Sequence, residues 1–479
     1  MSAVSRPAQP ESDHGGLTRR DFLIGAGVAA AGSGLSVARA QGAQTSREYD
    51  VIVLGGGFCG VTAARECRRA GLRTVILEAR NRLGGRTLTV DFSGRPIDMG
   101  GTFVHWSQPY LWTEIRRHGL ELRETPGASA DKWIVHTSTG EIVTLSAAKI
   151  AERVDNAVAM YMGDSRALLP LPHDPFGSDE YRKVDRISSA ERLAALKNRI
   201  APLYQDIVDG YMAGQGHNYS EQFAWLEMVR WYALPGHNTA DMDDATGRFH
   251  LRDGSVALLD AMLSEAHAEV RLGTPVKRLM QDATGVSVQT ANGDELRGRV
   301  VVSTIPLNVL KDLEWQPGLS DAQLTASRLR HAGTGTKVHL LVQGDYGNIS
   351  CIAPSHKALN SLETEDVVDG HTHLVGFGPS RELLDVNDTD SVQNAVRLFI
   401  PDARVVKTFG YEWVLDPYSQ GTWCTLRPGM WSRYLRELQQ PRGRVVFASA
   451  DWANGWRGFI DGAIEQGLEA GRRVREMLA

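Results

Sequence analysis

A chain of 479 residues is too long for one simple hydrophobic core and predicts at least two domains. Hydrophobic residues at 42% and charged residues at 23% fit a soluble globular protein, and a net charge of −5 with no basic stripe argues against nucleic acid as a partner. The four cysteines, Cys59, Cys67, Cys351 and Cys424, form no C-x-x-C pair and stand near no histidine cluster, so no metal site or disulfide framework is expected.

The first 40 residues have the order of an export signal. Arg19-Arg20 is followed by Asp21-Phe22-Leu23, an Ala- and Gly-rich apolar run, and Ala38-Arg39-Ala40. A basic region, an apolar region and an A-x-A site predict a twin-arginine signal peptide over 1–40 and a linker over 41–48. The apolar run is too short and glycine-rich for stable membrane insertion, which needs about 20 residues. The expected location is the periplasm, reached by a chain that is already folded.

An α/β pattern then begins. Residues 49–54 read as a strand, 55–60 as a glycine turn, 61–70 as a helix and Thr74–Leu77 as a second strand, which together make one βαβ unit. Residues 110–250 read as mostly helical and rich in aromatics and arginine. A helix over 255–265 follows, then short strands around Val270, Val276, 286–288 and 300–302. Residues 334–345 and 372–377 read as strands and 390–399 as a helix. Phe447 lies in a strand, and a long helix ends the chain. The fold class is therefore α/β with two domains. A nucleotide-binding domain is expected from 49–110, 251–310 and 437–479. A mixed α+β substrate-binding domain is expected from 111–250 and 311–436.

Gly55-Gly56-Gly57-Phe58-Cys59-Gly60 reads G-x-G-x-x-G, a weak signal alone. Here a strand precedes it, a helix follows, and Glu78 ends the next strand. Gly55 permits the tight turn, Gly57 lets backbone approach a pyrophosphate, and Gly60 lets the helix pack on the strand. The helix start favours the phosphates, and Glu78 suits a ribose diol. The run Glu78-Ala79-Arg80 leading to Gly84-Gly85-Arg86 separates FAD from NAD, because it offers a second bare backbone and a forked cation just beyond the acidic strand. Met99-Gly100-Gly101-Thr102 is another close-approach segment. Asp451 ends a strand where it could hydrogen-bond a ribityl chain. Ile460 opens the last helix, whose dipole would favour negative charge on a reduced flavin.

In this order, E-A-R-x-R-x-G-G-R-T, a lysine after a glycine turn, D-P-Y-S-x-G and a C-terminal G-A-x-E-x-G resemble the flavin-containing amine oxidases over essentially the whole mature chain. The runs Gly216-His217-Asn218-Tyr219, Arg230-Trp231-Tyr232 and Ala453–Ala463 are most similar to bacterial members that degrade nicotine-type alkaloids. The resemblance implies a two-domain amine oxidase fold like that of p-hydroxybenzoate hydroxylase, with FAD extended through a Rossmann-like domain. It assigns the adenine end to the backbone of Val276 and the reacting centre to Lys337, Trp423 and Phe459. In the family the matching lysine holds a water near the flavin, whereas by type alone a strand lysine is an ordinary exposed side chain. The aromatic pair flanks the substrate nitrogen, departs from the two tyrosines of monoamine oxidases, and should keep the site dry. Phe459 is also expected against the flavin. Thr422 stands where monoamine oxidases carry the cysteine bonded to the flavin, so FAD is expected to be non-covalent.

Trp106, Tyr211, His217 and Trp231, with His105 and Trp413, are candidate pocket residues, although for each one core packing is an equal reading. The expected reaction is oxidation of a secondary amine at the carbon next to nitrogen. Oxygen or a periplasmic electron carrier would be the acceptor, and a homodimer is left open. The alternatives are nicotine oxidation, another amine oxidation, or an exported flavoprotein that only carries electrons.

Overall fold

The protein is described from a computed structural model over residues 48–479. The twin-arginine segment and the linker as far as residue 47 lie outside the described residues.

The first strand, Glu48–Leu54, ends in Val51-Ile52-Val53-Leu54, none more than 1% exposed. A run buried on both faces belongs in the interior of a parallel sheet. It pairs in parallel with Thr74–Leu77 on one side and with Glu295–Ser303 on the other. Glu269–Arg271 extends the sheet beyond Thr74–Leu77, and Val445–Phe447 joins Glu295–Ser303, both in parallel. Val286–Thr290 pairs antiparallel with Glu295–Ser303, followed by Val276–Gln281 and then Glu314–Gln316. This eight-stranded nucleotide sheet thus draws on strands far apart in sequence.

Helix Phe58–Arg69 leaves the glycine turn and packs against the final helix Ile460–Leu478. The crossing is close because the final helix is bare there, at Gly467 and Gly471. A Cβ on Gly467 would lie 2.6 Å from the carbonyl oxygen of Cys59.

A second, seven-stranded sheet runs in the order Val405–Gly410, Thr336–Gln343, His371–Gly378, Ser361–Val368, Ile349–Ile352, Lys132–His136, Ile142–Ser146. Its pairings are antiparallel except between Ile349–Ile352 and Lys132–His136. Helices Ala147–Met162, Pro202–Gly216 and Trp225–Ala233 supply much of the neighbouring apolar core. The region 110–250 is therefore not helical throughout, because the hairpin Lys132–His136 and Ile142–Ser146 lies inside it. The described residues, 48–479, cluster as one unit. All four cysteines are buried and free. Among the described residues no helix is long and apolar enough to cross a membrane.

Candidate active site

Two cavities meet in the interior. The larger, of about 440 Å³, is lined by the glycine turn, by Glu78-Ala79-Arg80, by Gly84–Thr87, by Met99-Gly100-Gly101, by Thr274-Pro275-Val276 and by the start of the last helix. The smaller, of about 180 Å³, lies over the second sheet. Gly100, Gly101, Lys337, Trp423, Gly458, Phe459 and Ile460 line both, so they form the throat between them.

The larger cavity fits a dinucleotide. Gly55 has φ +106°, a conformation that suits glycine at the strand end. A Cβ on Gly60 would lie 2.0 Å from the carbonyl oxygen of Gly55, which fixes Gly60 as the packing residue rather than a wall of the cavity. Gly57 faces the second glycine pair, because its Cβ would lie 3.6 Å from the Gly84 oxygen. A side chain longer than a methyl at Gly57 would fill the gap between the two segments. Neither helix Phe58–Arg69 nor helix Ile460–Leu478 has a side-chain cap, so their first N–H groups remain open to an anion. Glu78 is 3% exposed and accepts from the backbone N–H of Gly56 at 2.7 Å and of Arg80 at 2.8 Å. That fixes its carboxylate at the wall where a ribose would lie. The Arg80 guanidinium is held by Asp416, with Nη2 to Oδ1 at 2.5 Å.

Asp451 corrects the sequence reading. It is fully buried and is not part of the cavity wall. Oδ1 accepts from Arg86 Nη2 at 2.5 Å, and Oδ2 accepts from the N–H of Leu307 at 2.8 Å. Burial pushes its carboxyl up, but Arg86 and the Leu307 N–H outweigh burial and hold it below the usual range. Asp451 thus positions Arg86, which also donates to the Thr422 carbonyl at 2.9 Å and lines the cavity. Thr102 is likewise not a wall of the larger cavity; it lies in the smaller one and holds the lysine.

Lys337 begins strand Thr336–Gln343 and is buried. Its Nζ donates to the Asp98 carbonyl at 2.5 Å and to Thr102 Oγ1 at 2.6 Å. An ammonium has three donors, so one is left for the throat. Burial lowers the lysine pKa to about 8 against the opposing pull of Asp98 and Glu365.

The Trp423 indole is locked on three sides. Its Nε1 donates to the Gln215 carbonyl at 2.8 Å, the His217 ring stacks on it at 3.9 Å and 5°, and Phe377 meets it edge-on at 6.1 Å. His217 has Nε2 3.0 Å from the Thr336 carbonyl and Nδ1 2.8 Å from Thr422 Oγ1. A carbonyl only accepts, so Nε2 carries the proton and Thr422 donates to Nδ1. Burial, with Lys337 nearby, pushes the imidazole down to about 3, so it is neutral. His217 was expected in the substrate pocket; it stands instead behind Trp423, on the cofactor side. Phe459 is held edge-on by Trp231 at 4.6 Å and by Trp456 at 4.9 Å.

Of the other candidates, Tyr211 and Trp231 line the smaller cavity and Trp413 the larger. Trp106 also departs from its expected place. It is 52% exposed, meets the His105 ring at 3.8 Å in a tilted arrangement and lines neither cavity, nor does His105. Trp133 on the unforeseen hairpin and the acids Asp243 and Glu363 are among the pocket residues to which no sequence signal points.

A family profile described as flavin containing amine oxidoreductase matches residues 58–475. The chain belongs to that family. Similar proteins include pseudooxynicotine dehydrogenase from Pseudomonas sp, 40% identical over 97% of this chain and 96% of that protein. Nicotine dehydrogenase from Pseudomonas putida is 35% identical over 97% of this chain and 98% of that protein. Among solved structures, putrescine oxidase bound to putrescine shares the fold with a TM-score of 0.77 at 19% identity, covering 90% of this chain and 99% of that one. As a family member, the chain is a flavin-dependent oxidoreductase that acts on a small amine. Bare backbone and helix starts wall the larger cavity, and aromatic side chains wall much of the smaller one.

Proposed function

We propose that this enzyme oxidises pseudooxynicotine, a secondary N-methyl amine on a pyridyl ketone, to 3-succinoylsemialdehyde-pyridine and methylamine, using non-covalent FAD. The observation that carries the reading is the 40% identity to a pseudooxynicotine dehydrogenase over 97% of the chain. The throat supports it. Bound FAD supplies the acceptor for the hydride equivalent from the carbon beside nitrogen. Trp423 and Phe459 offer apolar faces to a small N-methyl amine and exclude water. A dry throat disfavours the ammonium, leaving the neutral amine that can be oxidised. Lys337 keeps one N–H directed at the throat to hold a water or a developing anion. The imine product then takes up water and splits.

Non-covalent binding is supported by Thr422, whose hydroxyl is committed to His217 and forms no thioether. The nearest thiol in sequence, Cys424, is buried with Sγ directed at the Asp451 carbonyl. Acid precipitation should leave a colourless pellet and FAD in the supernatant; a yellow pellet overturns this part. The substrate is tested by comparing kcat/KM for pseudooxynicotine, nicotine, a phenylalkylamine and a polyamine. Pseudooxynicotine should lead. A tenfold win for any other, about 1.4 kcal/mol of transition-state discrimination, overturns the assignment.

A further inference from the structure

We propose that Glu363, which lines the smaller cavity near Asp243, recognises a second nitrogen base on the substrate, a heteroaromatic ring nitrogen that shares the Glu363 proton. The proposal rests on the amine-oxidation reading of the same cavity and names how its far end is read.

Strand Ser361–Val368 alternates: Leu362 and Thr364 are buried below, while Ser361 and Glu363 line the cavity. Ser361 lies opposite Phe377, which lies opposite Lys337, so these three form one row across the sheet. Glu363 lies one row further, opposite Ser350, which is opposite Trp133. Two strand spacings and two residues of rise separate Lys337 from Glu363, roughly 12 Å between Cα positions. A substrate whose amine sits in the throat therefore reaches Glu363 with an atom several bonds away. Trp133, Trp231 and Phe377 line the same cavity and offer flat faces to a ring between those points.

Glu363 meets no hydrogen-bond donor and no cation of the described protein. The titratable groups that act on it are acidic or neutral: Asp243 from helix Thr239–Asp243, Glu365 on its own strand, Tyr211 from helix Pro202–Gly216 and, from the other face of the sheet, the Cys351 thiol. The Tyr211 hydroxyl is already donated to Asp243 Oδ1. A carboxylate taken from water without a partner is costly. Burial first, then the charges of Asp243 and Glu365, push the Glu363 carboxyl up to about 7. Burial also raises Asp243 to about 7, against the hydrogen bond from Tyr211. Near neutral pH Glu363 thus holds a proton that nothing in the protein accepts, in a place where a ring nitrogen could.

The test uses the FAD-loaded enzyme and two ketones without an amine, 3-acetylpyridine and acetophenone, titrated by the change in flavin absorption. The pyridyl ketone should bind about tenfold more tightly. The difference should fall below about twofold in Glu363→Leu and persist in Glu363→Gln, whose amide still donates. In the wild type the preference should fade as pH rises through about 7, where Glu363 loses its proton; in Glu363→Gln it should not. Equal binding of the two ketones by the wild type overturns the proposal, and that arm needs no variant to fold. A preference retained in a Glu363→Leu protein with normal FAD content and Tm also overturns it. Neither probe can be oxidised as an amine, so the outcome is independent of whether pseudooxynicotine bleaches the flavin. Failure of that bleaching removes the substrate assignment alone.

Discussion

At the scale of single residues, the throat works by removing choices. Trp423 is fixed by a carbonyl and a stacked histidine, and that histidine is fixed in turn by Thr422 and the Thr336 carbonyl. A chain of committed donors leaves few rotamers, which suits a site where about 1 Å of misplacement costs rate. Lys337 is the titrating member. With a pKa lowered to about 8, it is cationic below that pH and loses its charge as pH rises through it. A cation beside the cofactor favours electron transfer to oxygen, because the first reduced oxygen species is an anion. Flavin reoxidation by oxygen should therefore slow as pH rises from 7 to 9, an interval around the pKa of about 8. Lys337→Met should be slow and flat across the same range, by about tenfold or more at pH 7 for a lost interaction of about 1.4 kcal/mol. Stopped-flow reoxidation with full FAD content reads this directly; a variant indistinguishable from wild type would remove the lysine from the oxidative step.

At the scale of elements, the sequence was most legible where local pattern and tertiary role agree. The βαβ unit, the strand at Thr74–Leu77, the strands around Lys337 and Phe377, and the long last helix all carry their own signals. The glycine segments were legible as well, because close backbone approach leaves a compositional mark. Strand Ser361–Val368 was missed although Ser361, Leu362, Glu363, Thr364 and Glu365 alternate, because acids on the open face resemble a solvated loop. The hairpin Lys132–His136 was absorbed into a helical region for a similar reason: its role depends on pairing with Ile349–Ile352, more than 200 residues away. The sequence reads Asp451 as ending a strand, but the strand stops at Phe447 and Asp451 stands beyond it, and its partner Arg86 is fixed only by the fold. The 3-10 turn Ala450–Trp452 that carries Asp451 therefore supports the cofactor at one remove. Asp451→Asn should leave Arg86 without its counter-charge and lower both Tm and FAD content, at a stability cost on the order of 3 kcal/mol for a broken buried pair. The carboxyl is held below its usual range when folded, so its contribution is present above about pH 4 and is lost as pH falls through the lower folded value. The Tm gap between Asp451→Asn and wild type should accordingly narrow in acid; a constant gap from pH 7 downward would count against the ion pair.

For the whole molecule, the decisive property is that the cofactor cavity has no local precursor. Its walls come from Gly55 near the start of the fold, from Thr274-Pro275-Val276 and Thr304 in the middle, and from Ala463 near the end. No single segment of the chain presents that surface, so a dinucleotide can be bound tightly only after nearly all of residues 48–479 have folded. Binding to the folded state alone then stabilises it in proportion to the logarithm of cofactor concentration over Kd. Export through a route that requires an unfolded chain would release the cofactor before the protein crossed. Arg19-Arg20, ahead of the apolar run and Ala38-Arg39-Ala40, fits the opposite order: fold, bind, then cross. We therefore expect the native enzyme in the periplasm with FAD already in place and its N-terminus processed near Ala40. Changing Arg19→Lys together with Arg20→Lys should hold it in the cytoplasm, folded, yellow and as active in lysates as the exported form. Cell fractionation with N-terminal sequencing decides the matter. Native protein found in the cytoplasm with residues 1–40 intact would refute export, and a cytoplasmic double variant that lacks FAD would refute the order of loading.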